Sequence, residues 1–265
     1  MGHVGGLYPR ILPGIRLTVY GKQKLMGVIG AKAPHLLTDA DRAKNYKRED
    51  LYIDMGLPAQ RVRELVQIGD LVALEARFVK LQNNRVATKT ADARACVAIL
   101  LGAMQRLKAL RPTADLYFAA TCQEEIGSYG AAMSAFGVDP DYAVALDVCH
   151  AKTPGAPDLH TKKLDALVAS QGPYIHPMLR RKLMETAEKN NIDVQTAIVP
   201  RATSTDADSI NIQRNGVPTI LLELPLKYMH TTVELIDMHT LEEGARLLAH
   251  FAAAVSPEWE DELWT

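Results

Sequence analysis

An apolar run at residues 116–120 leads straight into Thr121-Cys122-Gln123-Glu124-Glu125-Ile126-Gly127. The run reads as a buried strand, and two adjacent carboxylates at its end restrict what can form around it. Like charges repel, and each must lose water to sit beside a core. A folded chain tolerates such a pair when a cation or a proton neutralises one member. Asp92, Asp147 and His230 stand in comparable positions after strand-like runs. Together the five read as the oxygen and nitrogen ligands, and the base, of a metal-dependent hydrolase.

The pattern around these residues changes near residue 88. Residues 1–88 hold short β-like pieces at 15–20, 25–29, 71–78 and 85–88, punctuated by Pro13-Gly14, Gly21, Gly30 and Asn83-Asn84. The polar stretch 38–45 is a short helix or an exposed loop. This half is expected to form a small β-barrel or sandwich. From residue 89 to 265 helices and strands alternate. Helices are predicted at 94–110, 129–136 (stopped by Gly137), 177–190, 206–213 and 241–254, and strands at 116–121, 142–148, 195–199 and 219–224. That alternation implies an α/β domain with a sheet covered on both faces. The acidic tail, 256–265, is expected to fray.

In open α/β sheets, ligands bind outside the carboxyl ends of strands. Asp92, the Glu124-Glu125 pair, Asp147 and His230 all follow strands, so four separate exits deliver acids or an imidazole towards one edge. Each residue also has an ordinary reading. Asp92 can cap the helix that follows it. Glu124 and Glu125 suit the first turn of a helix, whose dipole favours acids. Asp147 suits an Asx turn. A single His230 can be a hydrogen-bonded core or surface histidine, as can His3, His35, His150, His160, His176, His239 and His250. The joint placement is what favours a site. Two divalent metals would suit it: one carboxylate bridges both ions, others complete each shell, and an unligated Glu moves a proton from water to the leaving amine. Zinc fits mixed carboxylate and imidazole ligands, as do cobalt and manganese.

Several other classes find no support. The net charge of −1 supplies no field for nucleic acid or an anionic membrane. No nucleotide-binding glycine motif follows a strand. No run of about 18 apolar residues could span a bilayer. Met1 to Gly6 lacks the basic and apolar regions of a secretory signal. Three widely spaced cysteines fit a reduced cytoplasmic compartment, with each expected as a small buried hydrophobe. A glycosidase would need two carboxylates flanking a sugar bond and no metal; His230 joining four acids argues against it.

The ordered set Asp92-Ala93-Arg94-Ala95, Gln123-Glu124-Glu125-Ile126-Gly127, Asp147-Val148, Gly172-Pro173-Tyr174-Ile175-His176-Pro177, Thr205-Asp206-Ala207 and Lys227-Tyr228-Met229-His230-Thr231 resembles the tetrahedral aminopeptidases. This family of glutamyl and deblocking aminopeptidases is often labelled endoglucanase or cellulase M. Pro9-Arg10-Ile11-Leu12-Pro13-Gly14, Gly27-Val28-Ile29-Gly30 and Pro34-His35-Leu36-Leu37 agree as well, so the match runs from about residue 5 to 251. The resemblance implies a metallopeptidase-type catalytic domain at 89–265 and an inserted dimerisation domain at 1–88. It implies Asp92 as the bridging ligand, Glu125 and His230 completing one metal site, Asp147 in the other, and Glu124 as general base. It also implies peptide substrates, two divalent metals per subunit, and dimers assembling into a hollow dodecamer.

The chain departs from that pattern at its start. Family members carry an upstream His-x-Asp, whose His binds the second metal and whose Asp orients the site. No His-x-Asp occurs in these 265 residues. The reading is therefore of an N-terminally truncated catalytic domain, with a second metal held weakly and little peptidase activity in the chain as given. A non-catalytic metal-binding or assembly subunit of the same fold is the alternative. Asp92-Ala93 is a smaller departure, since the family usually has Asp-Asp or Asp-Asn there.

Overall fold

The computed structural model of the chain describes Gly2 and residues 4–262. His3, one of the candidate histidines, lies outside the described residues. The first part holds β1 (Arg16–Tyr20), β2 (Lys24–Ala31), α1 (Asp39–Arg42), β3 (Leu51–Asp54), α2 (Ala59–Leu65) and β4 (Leu71–Leu74). These strands form one antiparallel sheet in the order β3-β2-β1-β4. Leu12, Leu17, Val19, Ile29 and Leu51 are its buried core. Among the described residues β3 and β4 pair on one side only, so the sheet stays open and the expected barrel does not close. Residues 38–45 resolve as a single helical turn, because the Thr38 side chain accepts from Asp41 N and caps it.

The remainder is a mixed α/β body. It comprises β5 (Val79–Lys80), β6 (Arg85–Thr88), α3 (Ala91–Leu110), α4 (Tyr129–Val138), β7 (Ala143–His150), β8 (Leu167–Gln171), α5 (Pro177–Lys189), β9 (Val194–Ile198), α6 (Asp206–Asn211), β10 (Thr219–Leu226), β11 (Glu234–Asp237), α7 (Met238–Ala254) and α8 (Glu258–Glu262). The central sheet runs β7-β10-β8-β9, and a small antiparallel sheet runs β11-β6-β5. β10 is buried at every position and is parallel to β7, while β8 runs antiparallel to it. A strand covered on both faces must be apolar throughout, which explains its near-continuous Leu and Ile run. α3 lies along α7, and the helices touch through small residues. A Cβ on Gly102 would meet the Ala245 Cβ at 2.8 Å, and one on Gly244 would meet Ile99 Cδ1 at 2.9 Å.

Two expectations fail here. Residues 116–121 form no ladder with a described strand. Leu116 and Phe118 are half-buried against the core while Tyr117 is exposed, so the segment keeps a strand's alternation without a partner. The tail does not fray as far as Glu262. Trp259 is buried, with ring centroids 5.5 Å from Phe251 and 6.4 Å from Tyr142. Glu262 Oε1 accepts from Lys182 Nζ at 2.8 Å. One large apolar side chain thus anchors a segment whose charges suggested solvent.

Candidate metal centre

Asp92 sits in the first turn of α3, where helical geometry has not yet begun: its φ and ψ are −75° and 112°. That extended conformation swings the carboxylate off the helix axis. Glu124 and Glu125 occupy one 3-10 turn at Glu124–Ile126, entered through Gln123 with φ +64°. His230 follows β10 and has φ +60°. Thr90, Gln123, Ser128, Tyr228 and His230 all adopt left-handed backbones around this edge. Non-glycine residues in that region cost about 1–3 kcal/mol each, and such strain gathers at functional sites.

These turns bring three of the candidates together. His230 Nε2 lies 3.2 Å from Asp92 Oδ2 and 3.6 Å from Glu125 Oε2. One ligand atom from each residue falls within 4.8 Å of the others. Two ligands bound at roughly 2.1 Å around a tetrahedral ion stand roughly 3.4 Å apart, so the spacing fits a zinc-sized cation. Glu124, Asp147 and Glu223 line the same cleft. Asp147 does not join the three-residue group; its Oδ1 accepts from its neighbour's amide, Val148 N, at 2.7 Å.

Burial and mutual repulsion raise the carboxyls of this cleft. Burial, then Glu125 and Glu234, push the Asp92 carboxyl up to about 6. Burial raises Asp147 to about 8, against the opposing Val148 amide and with help from Glu124, Asp92 and Glu223. Burial, then Glu125, Asp206 and Asp92, raise Glu124 to about 7. A carboxyl poised near neutrality suits proton transfer.

Several partners escaped the sequence reading. Glu234, 2% exposed, accepts from His230 N at 2.9 Å and from Asp92 N at 3.1 Å. One carboxylate therefore fixes the backbones that carry two candidate ligands. Gly6 passes so close to His230 that a Cβ would stand 2.5 Å from Nδ1, leaving Nε2 to face Asp92 and Glu125. Asp206, from the Thr205-Asp206-Ala207 motif, accepts from Thr121 Oγ1 at 2.6 Å and so ties α6 to the turn bearing Glu124. Glu223 hides inside the apolar β10. The other described histidines stay outside the three-residue group, although His150 and His160 line the cleft. Cys122 is exposed, contrary to its expected burial, while Cys96 is buried and Cys149 is half-buried. No described helix is long and apolar enough to cross a membrane.

Comparison with known proteins identifies the family. Residues 1–247 match the M42 glutamyl aminopeptidase family. The lysyl aminopeptidase of Pyrococcus furiosus is 32% identical over 259 residues, covering 96% of this chain and 74% of the relative. A TET aminopeptidase from a marine sediment thaumarchaeon superposes with a TM-score of 0.91 at 27% identity, over 98% of this chain and 75% of the other. The PhTET1 dodecamer superposes with a TM-score of 0.79 at 30% identity, covering 95% and 75%. With a family match over nearly its whole length, this chain belongs to the M42 glutamyl aminopeptidase family.

Proposed function

We propose that the chain is a metal-dependent aminopeptidase acting on peptides. The observation that carries this reading is the convergence of Asp92, Glu125 and His230 within 4.8 Å, with Glu124 beside them in the cleft. Asp92, Glu125 and His230 hold one divalent ion, zinc or cobalt, and Asp92 and Asp147 hold a second more weakly. Bound there, the metal supplies Lewis-acid polarisation and an acidified water. Glu124 takes the proton from the attacking water and returns it to the leaving amine. Glu234 and Gly6 keep His230 oriented while this happens, and Thr121 with Asp206 steadies the Glu124 turn.

The antiparallel sheet of β1 to β4 acts as an inserted pairing domain, and β5 and β6, which pair with β11, go with the catalytic domain at 89–265. Exposed Met26, Tyr52 and Leu71 on the open sheet offer apolar surface for that contact. The PhTET1 relatives assemble as a dodecamer and as a tetrahedron, which supports a homo-oligomer here. Three free cysteines suit a cytoplasmic setting.

One observation favours a second reading, a non-catalytic metal-binding or assembly subunit. Asp147 belongs to no three-ligand group among the described residues. Hydrolysis of a panel of aminoacyl p-nitroanilides, with added zinc, cobalt or manganese, separates the two. Turnover lost on chelation and in Glu124→Gln supports the aminopeptidase. A metal-loaded chain without turnover supports the subunit.

A further inference from the structure

The cleft continues past the three converging ligands. Its volume, about 490 Å³, leaves room for an amino-acid side chain beyond the reacting atoms. The floor of this extension is the face of the central sheet. Asp147 on β7 stands in register with Glu223 on β10. Paired positions of neighbouring strands share a face, roughly 4.8 Å apart at the backbone. Cys149 and Ala197 line the same cleft.

Glu223 is 8% exposed, and its Oε2 accepts from Ser170 Oγ at 2.6 Å. Ser170 is itself fully buried, so that bond fixes the carboxylate's rotamer. Oε1 has no partner among the described residues and is not among the fully buried unpaired atoms. An acid inside an apolar strand is costly to keep. Unlike Asp92, Glu124, Glu125 and Asp147, this one has no part in the chemistry proposed above.

We propose that Glu223 is a specificity-determining residue that recognises the cationic side chain of an N-terminal lysine or arginine. The inference rests on the aminopeptidase reading and names its preferred substrate class. A neutral side chain lying over Glu223 would bury Oε1 without a donor, and an acidic one would be repelled. An ammonium or guanidinium replaces the lost water with a charge-assisted hydrogen bond. Lys162 also lines the cleft, carries the opposite sign and lies close enough to act on the Glu223 carboxylate. It is half-exposed on a flexible stem, so water and salt screen it, whereas the Glu223 carboxylate is held in a desolvated floor. The floor group therefore dominates selection.

The test is calorimetric binding of L-lysinamide, L-leucinamide and L-glutamic acid α-amide to the zinc-loaded 265-residue chain, with Glu223→Gln and Glu223→Ala alongside. Lysinamide is expected to bind about tenfold tighter than leucinamide, and both variants should bring the two to about parity. Metal content and leucinamide affinity should not change. Equal affinities in the wild-type chain overturn the proposal without recourse to any variant. Tightest binding of the glutamic acid amide overturns it in favour of Lys162, and a lysinamide preference retained by folded variants overturns it too. Lysyl and leucyl p-nitroanilides keep this outcome separate from the activity itself. Selective lysinamide binding without hydrolysis keeps the subsite and removes the aminopeptidase reading. Equal hydrolysis of both substrates does the reverse.

Discussion

Glu234 bridges Asp92 and His230: its two carboxylate oxygens accept from their backbone amides at 3.1 and 2.9 Å. The ligand atoms of those residues meet 3.2 Å apart on the other side of the same clasp. The spacing of the candidate ligands is thus braced by a residue outside their three-residue group.

Glu234→Ala should therefore weaken metal binding without removing a ligand. Outer partners of metal ligands are worth about 10–100-fold in affinity, and a loss of that size is expected in a zinc titration against a competing chelator. Affinity equal to the wild-type value would show that Asp92 and His230 need no such brace.

Glu124→Gln should abolish turnover while leaving the metal bound. The amide nearly matches the carboxylate in shape but cannot accept the proton, and general bases contribute about 10²–10⁴-fold. Rates on an aminoacyl p-nitroanilide, read beside metal content, check both halves of the expectation. Wild-type turnover in the variant would exclude Glu124 as the base.

Gly6→Ala should disturb His230 through sterics alone. The new methyl would stand 2.5 Å from Nδ1, closer than any real contact, so the ring must move and Nε2 must leave Asp92 and Glu125. Weakened zinc binding in a chain with an unchanged melting temperature is the expected result. Unaltered affinity would mean that the backbone at Gly6 yields instead.

The metal-free chain should lose stability as pH rises. Burial holds the Asp92 and Asp147 carboxyls at about 6 and about 8, above the ordinary value of 3.8. The folded state therefore binds more protons than the unfolded state between about 4 and 8, and linkage makes stability fall across that window. Their contribution is fully present below about pH 4 and is gone once the pH exceeds the folded values. Thermal melts from pH 5 to 8.5 in chelator should show the decline, and Asp147→Asn should flatten its upper part. A melting temperature that rises through this window would contradict the assigned burial.

Much of this site could be read in the sequence because its candidate residues lie in or just after apolar runs. Ala143–His150 and Thr219–Leu226 show as apolar runs; the first carries Asp147 within it and the second leads to His230 beyond it. Their neighbours were harder to see. β3 and β11 have only four residues each, too short for a pattern, and β11 carries Glu234. β8 packs four buried residues into five positions without alternation, so its Ser170 gave no cue. Glu223 did leave one, a single acid between Leu222 and Leu224. Residues 116–121 mislead in the other direction: alternation marks one buried face, but a strand also requires a partner, which composition cannot supply.

The most direct measurement is metal content after exhaustive dialysis of zinc-loaded protein. Wild-type chain should retain about one tightly held ion per subunit, the number expected of one complete three-ligand site. A Glu125→Ala, His230→Ala double variant that melts as a folded protein should retain none of it. Equal zinc in the two proteins would contradict the account, because it would place the metal away from Asp92, Glu125 and His230.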